Sequence, residues 1–182
     1  QPLVYPDPVN VLSQDDTTKG NWGGTYGKDG YVLFGYDGDK TNHEQLPPYV
    51  ESITIKPKAT AITEWAHDIN DPRALASNDR NGEARNAATL YNRNTLLVDI
   101  RLKHPHAFRL AAYAVDFDRK GREEAIDIYN LPALTLAAPT QAFHEYQNGK
   151  YVIFECRDSV RLRFDNIQGD NATVSGIFFD PE

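Results

Sequence analysis

From residue 95 onward, apolar and polar positions alternate in short runs broken by turn residues. Leu96–Leu102, Phe108–Val115, Glu124–Tyr129, Ala133–Leu136, Tyr151–Cys156, Val160–Phe164 and Ala172–Phe179 each predict a strand. In the clearest case, Val160, Leu162 and Phe164 alternate with Arg161 and Arg163, the pattern of a half-buried strand. Asp118-Arg-Lys-Gly121, Gln147-Asn-Gly-Lys150 and Gln168-Gly-Asp-Asn171 punctuate these runs with turn chemistry. Earlier in the chain, Val9–Leu12, Tyr31–Phe34, Val50–Lys56 and Ala61–Ala66 carry the same signal more weakly, and the prolines of Leu46–Tyr49 impose an extended path. Residues 67–92 are the least strand-like. They predict a long loop in which Asp71-Pro-Arg-Ala-Leu-Ala76 can hold one helical turn, with proline at its first position. About ten short strands and no long helix predict an all-β fold: one antiparallel β-sandwich, of jelly-roll type, over residues 1–182.

Composition narrows the partners. The net charge is −7 with no basic stripe, which speaks against nucleic acid and anionic membrane and favours a neutral or cationic ligand. No apolar run approaches the roughly 18 residues of a membrane span. The lone cysteine, Cys156, excludes an internal disulfide and a cysteine-rich zinc site, and its alternating run predicts a buried structural thiol. The chain starts at Gln1 with no signal-peptide pattern, so we expect a processed protein, or a domain excised from or appended to a larger secreted one.

The densest local signal is Gly20–Leu33, which holds five of the twelve glycines together with Trp22, Tyr26 and Tyr31. Glycines so closely spaced suit a looped backbone rather than a helix. The stretch reads either as a structural corner with its aromatics turned inward or as a platform that stacks a ligand.

Catalytic signals are sparse. There is no Gly-x-Ser-x-Gly elbow, and Ser175 sits in an alternating run. The five histidines show no metal-binding pattern on a helix, and His104-Pro-His106 reads as a turn. A glycosidase needs two facing carboxylates, and 26 acidic residues single out no pair. For structural calcium, the candidate loops carry Asp37 and Asp39, and Asp116 and Asp118. The second begins like an EF-hand loop, but Lys120 follows and no helices flank it; a hairpin with Asp116 or Asp118 paired to Arg122 is the alternative. Sugar binding needs flat aromatic faces and polar forks. Trp22, Tyr26, Trp65 and Tyr91 are the candidate platforms, with Arg80, Arg85, Asp79 and Asn21 beside them on loops.

Several stretches together resemble a known kind of module. They are Gly20-Asn-Trp22, Tyr26-Gly-x-x-Gly-Tyr31, Asp79–Tyr91, Leu110-Ala-Ala-Tyr-Ala-Val-Asp-Phe-Asp118 with Gly121-Arg122, and the closing Asn171-Ala-Thr-Val-Ser-Gly-Ile-Phe-Phe179. The chain resembles β-sandwich accessory modules of large secreted bacterial proteins that degrade polysaccharides. It is similar in kind to galactose-binding-like jelly rolls used as carbohydrate-binding modules. Phe117 stands where that pattern leads one to expect tryptophan. The resemblance implies a non-catalytic module that holds a polysaccharide or oligosaccharide beside a catalytic domain. It also implies a secreted, periplasmic or cell-surface location in a bacterium; as to cofactors, the residues themselves lead us to expect none, or structural calcium. Two alternatives stay open: a structural spacer docked on a catalytic neighbour, and a small glycoside hydrolase with its cleft on the 67–92 loop.

Overall fold

The structure, a computed structural model, describes residues 4–77 and 84–182. Among the described residues there are sixteen strands and no helix. In chain order they are β1 (Asn10–Asp15), β2 (Gly30–Leu33), β3 (His43–Gln45), β4 (Val50–Lys56), β5 (Ala61–Ala66), β6 (Leu75–Ala76), β7 (Arg85–Asn92) and β8 (Thr95–Leu102). These are followed by β9 (Phe108–Ala114), β10 (Glu123–Asn130), β11 (Thr135–Leu136), β12 (Gln141–Phe143), β13 (Lys150–Cys156), β14 (Val160–Gln168), β15 (Ala172–Val174) and β16 (Gly176–Pro181). All pairings are antiparallel.

Two large sheets form the sandwich. Sheet A runs β1-β13-β9-β16-β2-β3, and sheet B runs β11-β10-β14-β8-β4 with β12 also on β10. Alternation decides what meets between them. Phe108, Leu110 and Ala112 of β9, Val152, Phe154 and Cys156 of β13, and Ile177 and Phe179 of β16 join one buried cluster with Leu96, Val98, Ile100, Ile126, Ile128, Leu162 and Phe164 from sheet B. Cys156 is fully buried, and burial pushes its thiol pKa up, in keeping with a structural role.

A small third sheet, β15-β7-β5 with β6 on β7, accounts for the main departures from the sequence reading. Residues 85–92, expected within a loop, are an eight-residue strand. Its alanines and asparagines have low intrinsic β propensity, and pairing on both edges with β15 and β5 overrides it. The expected helical turn at 71–76 is instead a tight turn, in which the Ala74 amide donates to the Asp71 carbonyl at 3.0 Å. Asp71 also holds the Arg73 amide and guanidinium, and the chain leaves extended as β6. The single strand expected over 172–179 is split. Residues 172–174 pair in the third sheet and 176–181 in sheet A, with Ser175 between, its amide donating to the Tyr113 carbonyl at 2.8 Å.

Candidate functional site

Sheet A is covered on both faces. Its outward positions Tyr31, Leu33, Ala111, Tyr113, Tyr151, Ile153 and Phe178 are buried in a second apolar cluster with Trp22, Tyr36 and Leu75. The cover is the glycine-rich stretch together with the 72–76 segment. The Gly20 amide donates to the Pro72 carbonyl at 2.8 Å, and the Ala76 amide donates to the Gly20 carbonyl at 3.0 Å. A Cβ on Gly20 would overlap the Ala74 carbonyl oxygen, so the close approach requires glycine. At Gly27, φ is +80° and an added Cβ would press on the Trp22 ring at 3.0 Å.

Trp22 is therefore not a stacking platform, contrary to the sequence expectation. It is 2% exposed, its ring centroid lies 4.8 Å from that of Tyr31 and 5.2 Å from that of Phe178, and Nε1 donates to the Ala76 carbonyl at 2.9 Å. With its indole N–H satisfied and its faces packed, the ring plugs the outer face of sheet A. For Trp22 the corner reading of the glycine-rich stretch is the right one.

The covering layer stops short of one end of sheet A and leaves a groove of about 430 Å³, within the usual size of ligand pockets. Its floor is Ala111 of β9 and Ile153 of β13, both buried. One wall is Thr25, Tyr26 and Lys28 of the loop. Leu12 stands opposite, at a β-bulge where the β1–β13 register shifts between Val11 and Ser13. A bulge re-aims its extra side chain, and Leu12 is 41% exposed on the edge strand. Arg109, Asp180 and Pro181 complete the lining.

Tyr26 is held rigidly in this wall. One ring face stacks on Tyr151 at 4.4 Å between centroids, and its hydroxyl donates to Asp15 Oδ2 at 2.6 Å. Asp15 also accepts from the Thr17 and Thr18 amides and both hydroxyls. Burial pushes the Asp15 pKa up, but the bonds from Thr18, Tyr26 and the amides outweigh it and hold the carboxyl well below its ordinary value. The Tyr26 phenol is shifted up, by burial first and then by the Asp15 carboxylate. Asp180 fixes the next turn of the loop, accepting from the Gly27 amide at 3.0 Å and the Lys28 amide at 2.9 Å.

The other predicted site residues are dispersed. Arg85 donates to the Ala74 carbonyl and to Asn21 Oδ1, so it props the glycine-rich loop from below. Trp65 is the bulged residue of β5, where the register shifts between Glu64 and Ala66. It is half-buried and stacks on Phe117 at 5.6 Å, with the Arg73 guanidinium 4.2 Å from the other ring's centroid. Tyr91 is half-buried on β7, between Ala61 and Thr173. Arg80 and Asp79 lie outside the described residues. Only Tyr26 of the predicted platforms lines the groove. Arg109 and Leu12 were not singled out by sequence. An isolated charge in the otherwise apolar run 108–114 was the available signal for Arg109, and the bulge behind Leu12 leaves none.

At the Asp116 loop the hairpin alternative holds. Asp116 accepts from the Lys120, Gly121 and Arg122 amides and from the Arg122 guanidinium at 2.6 Å, and Asp118 also binds that guanidinium. Asp116 thus accepts through both oxygens and Asp118 through Oδ1 from protein donors. Asp37 is paired with His43 at 3.2 Å, and Asp39 sits in the same loop with φ +48°. Among the described residues no group of three or more His, Cys, Asp or Glu side chains is placed to hold a metal ion. Two other depressions, one of about 250 Å³ lined by Asp37, His43, His67 and Asp68 and one of about 670 Å³ rimmed by Pro8, Pro105 and Pro132, offer no exposed Tyr, Trp or Phe wall.

Fold and groove together define an all-β sandwich with a surface groove on a doubly covered sheet. No protein-family model matches the chain, and no curated protein sequence does. Among solved structures it is similar to a family 35 carbohydrate-binding module from Clostridium thermocellum, at 10% identity over 72% of this chain and 99% of that one, with a TM-score of 0.36. It is also similar to the CBM51-2 and INT domains of Clostridium perfringens ZmpB in complex with GlcNAc, at 14% identity over 94% of this chain and 40% of that one, with a TM-score of 0.38. A third is isomalto-dextranase of Arthrobacter globiformis T6 complexed with panose, at 12% identity over 96% of this chain and 33% of that one, with a TM-score of 0.37. No helix among the described residues is long and apolar enough to cross a membrane.

Proposed function

We propose that the chain is a non-catalytic carbohydrate-binding module that takes a sugar in the Leu12–Tyr26 groove. In this reading it keeps a linked, secreted bacterial glycan-degrading enzyme on its polysaccharide. The observation that carries the reading is the groove itself. An aromatic wall is held rigid by Tyr151 and Asp15, over an apolar floor, with charged forks at the rim. A pyranose C–H face lies against Tyr26 and Leu12, while its hydroxyls reach Arg109, Thr25 and Ser13. One sugar buries little area against the entropy cost of holding it, so the affinity is weak, with Kd on the order of 0.1–1 mM. Polymer avidity then decides retention.

Affinity electrophoresis against pectic polysaccharide, xylan and galactan tests this. Retardation by at least one of them, lost in Tyr26→Ala but kept in Trp65→Ala, is the expected result. Migration unaffected by every polymer refutes the reading and favours the spacer, for which the burial of Trp22 is the supporting observation. The hydrolase reading has less support. Glu124, pushed up to about 7 mainly by burial, has the pKa of a general acid but is sealed in the core, bonded to Tyr146 and Thr173. Turnover of a polysaccharide by the isolated chain would reinstate it.

A further inference from the structure

The groove has a charge character that the whole chain lacks. Arg109 is the one charged residue of β9, on its outward face. Its lateral neighbours in sheet A are both carboxylates, Glu155 on β13 and Asp180 on β16. Neither forms an ion pair with it. Glu155 accepts from Asn10 Nδ2 at 3.3 Å, and both Asp180 oxygens are occupied by the Gly27 and Lys28 amides. Among the described residues the Arg109 guanidinium and the Lys28 ammonium have no hydrogen bond or ion pair of their own. The lining thus holds two unpartnered cations and one carboxylate whose oxygens are already bonded, with Glu155 flanking Arg109 just outside it.

We infer that the groove selects an anionic polysaccharide, with a carboxylate or sulfate ester of the sugar seated on Arg109 while its ring rests on Tyr26; the inference depends on the carbohydrate-binding reading above. A guanidinium offers a planar fork that matches a carboxylate or sulfate bidentately, and such charge-assisted bonds are the strong ones. Lys28, on the loop that carries Tyr26, adds a second positive charge to the lining. The net charge of −7 by itself favours a neutral or cationic ligand. Within the groove, Arg109 and Lys28 are the charged groups with donors left to offer, so short charge-assisted bonds from them, rather than the net field of the chain, hold an anionic group of the sugar.

The test is affinity electrophoresis and titration calorimetry of the whole chain. The probes are polygalacturonate for carboxylate, chondroitin sulfate for sulfate ester, galactan and xylan as neutral polymers, and poly-glutamate as an acidic peptide. Retention on polygalacturonate, chondroitin sulfate or both is expected, weakening as salt rises. Arg109→Gln lowers that affinity about tenfold or more, and Arg109→Lys restores part of it. Arg109 is exposed and unpartnered, so neither variant changes the melting temperature appreciably. Retention on galactan or xylan with none on the acidic polysaccharides overturns this inference and leaves the carbohydrate-binding reading standing. Retention on no polysaccharide overturns both. Poly-glutamate binding as strong as polygalacturonate, or binding indifferent to Arg109→Gln, overturns the inference alone.

Discussion

Glu124 should make the protein lose stability as the pH rises from about 5 to 8. Its side chain points into the core from β10 and is fully buried. Oε1 accepts from the Tyr146 hydroxyl at 2.7 Å, the Thr173 amide at 2.9 Å and the Thr173 hydroxyl at 3.1 Å, while Oε2 has no hydrogen-bond partner. Burial raises the carboxyl from 4.5 to about 7, against the lowering effect of those bonds and of Arg122. The folded chain therefore favours the protonated acid, whereas the unfolded chain ionises near 4.5. The stability cost sets in as pH passes 4.5 and is complete above about 7. At about 1.36 kcal/mol per decade, the cost grows by roughly 2–3 kcal/mol between pH 5 and pH 8. Glu124→Gln resembles the neutral acid and removes the titration. Relative to wild type, it should gain about 2–3 kcal/mol between pH 5 and pH 8. With a urea slope of about 2 kcal/mol/M, the relative midpoint moves by about 1 M. Urea unfolding of both proteins across this range measures it. Two stability profiles that run parallel from pH 5 to pH 8 would refute the reasoning, because nothing else differs between them that titrates.

Other outcomes follow from the covering layer and the core. Trp22→Ala should cost about 3–5 kcal/mol, seen as a lower urea midpoint, and Gly20→Ala about 2–3 kcal/mol through overpacking against the Ala74 carbonyl; near-neutral effects would mean that the loop does not seal sheet A. Asp15→Asn should cost about 1–2 kcal/mol at neutral pH, because an amide keeps one accepting oxygen and its NH2 group faces the donors of either the Thr17–Thr18 set or the Thr18–Tyr26 hydroxyl pair. The depressed Asp15 pKa keeps that contribution intact above about 4 and removes it only in stronger acid, so equal stability of the two proteins at pH 7 would contradict the network. Cys156 should resist a thiol reagent in the native state and react only at the rate of unfolding, since it is buried and its thiol pKa is shifted upward; rapid native labelling would disprove that placement.

β4, β8, β10 and β14 of sheet B were legible because each shows one face to the core and one outward, and β9, β13 and β16 of sheet A because they are short apolar runs buried on both faces; the short β3 and β12 carry neither signal. Val160–Phe164 carries that alternation on its surface. β7 was not legible, since Asn86, Ala87 and Ala88 are poor strand formers and become a strand only between β15 and β5. Ser175, where the chain changes sheets, has no marker that separates it from a strand residue. Tyr26 was visible as a candidate, but Trp22, four residues earlier in the same loop, gave the same local signal and faces inward. What separates them is which part of sheet A each covers, a fact of tertiary position. Arg109 showed in the sequence only as one charge in an apolar run; its distinguishing property is the absence of a partner, which depends on where Glu155 and Asp180 lie and on the amides that bind Asp180.

The position of β16 has a consequence for how the chain is made. Residues 176–181 are the filling between β9 and β2 in sheet A, and residue 178 also supports Trp22. Until they emerge from the ribosome, β2–β3 and β1-β13-β9 are two separate ribbons with bare edges. Tyr31 must wait for Phe178, a partner synthesised 147 residues later. Such a long closure slows folding and prolongs exposure of unpaired edges. Premature termination before residue 176 should therefore leave not a shortened sandwich but a chain that chaperones and proteases meet as unfolded.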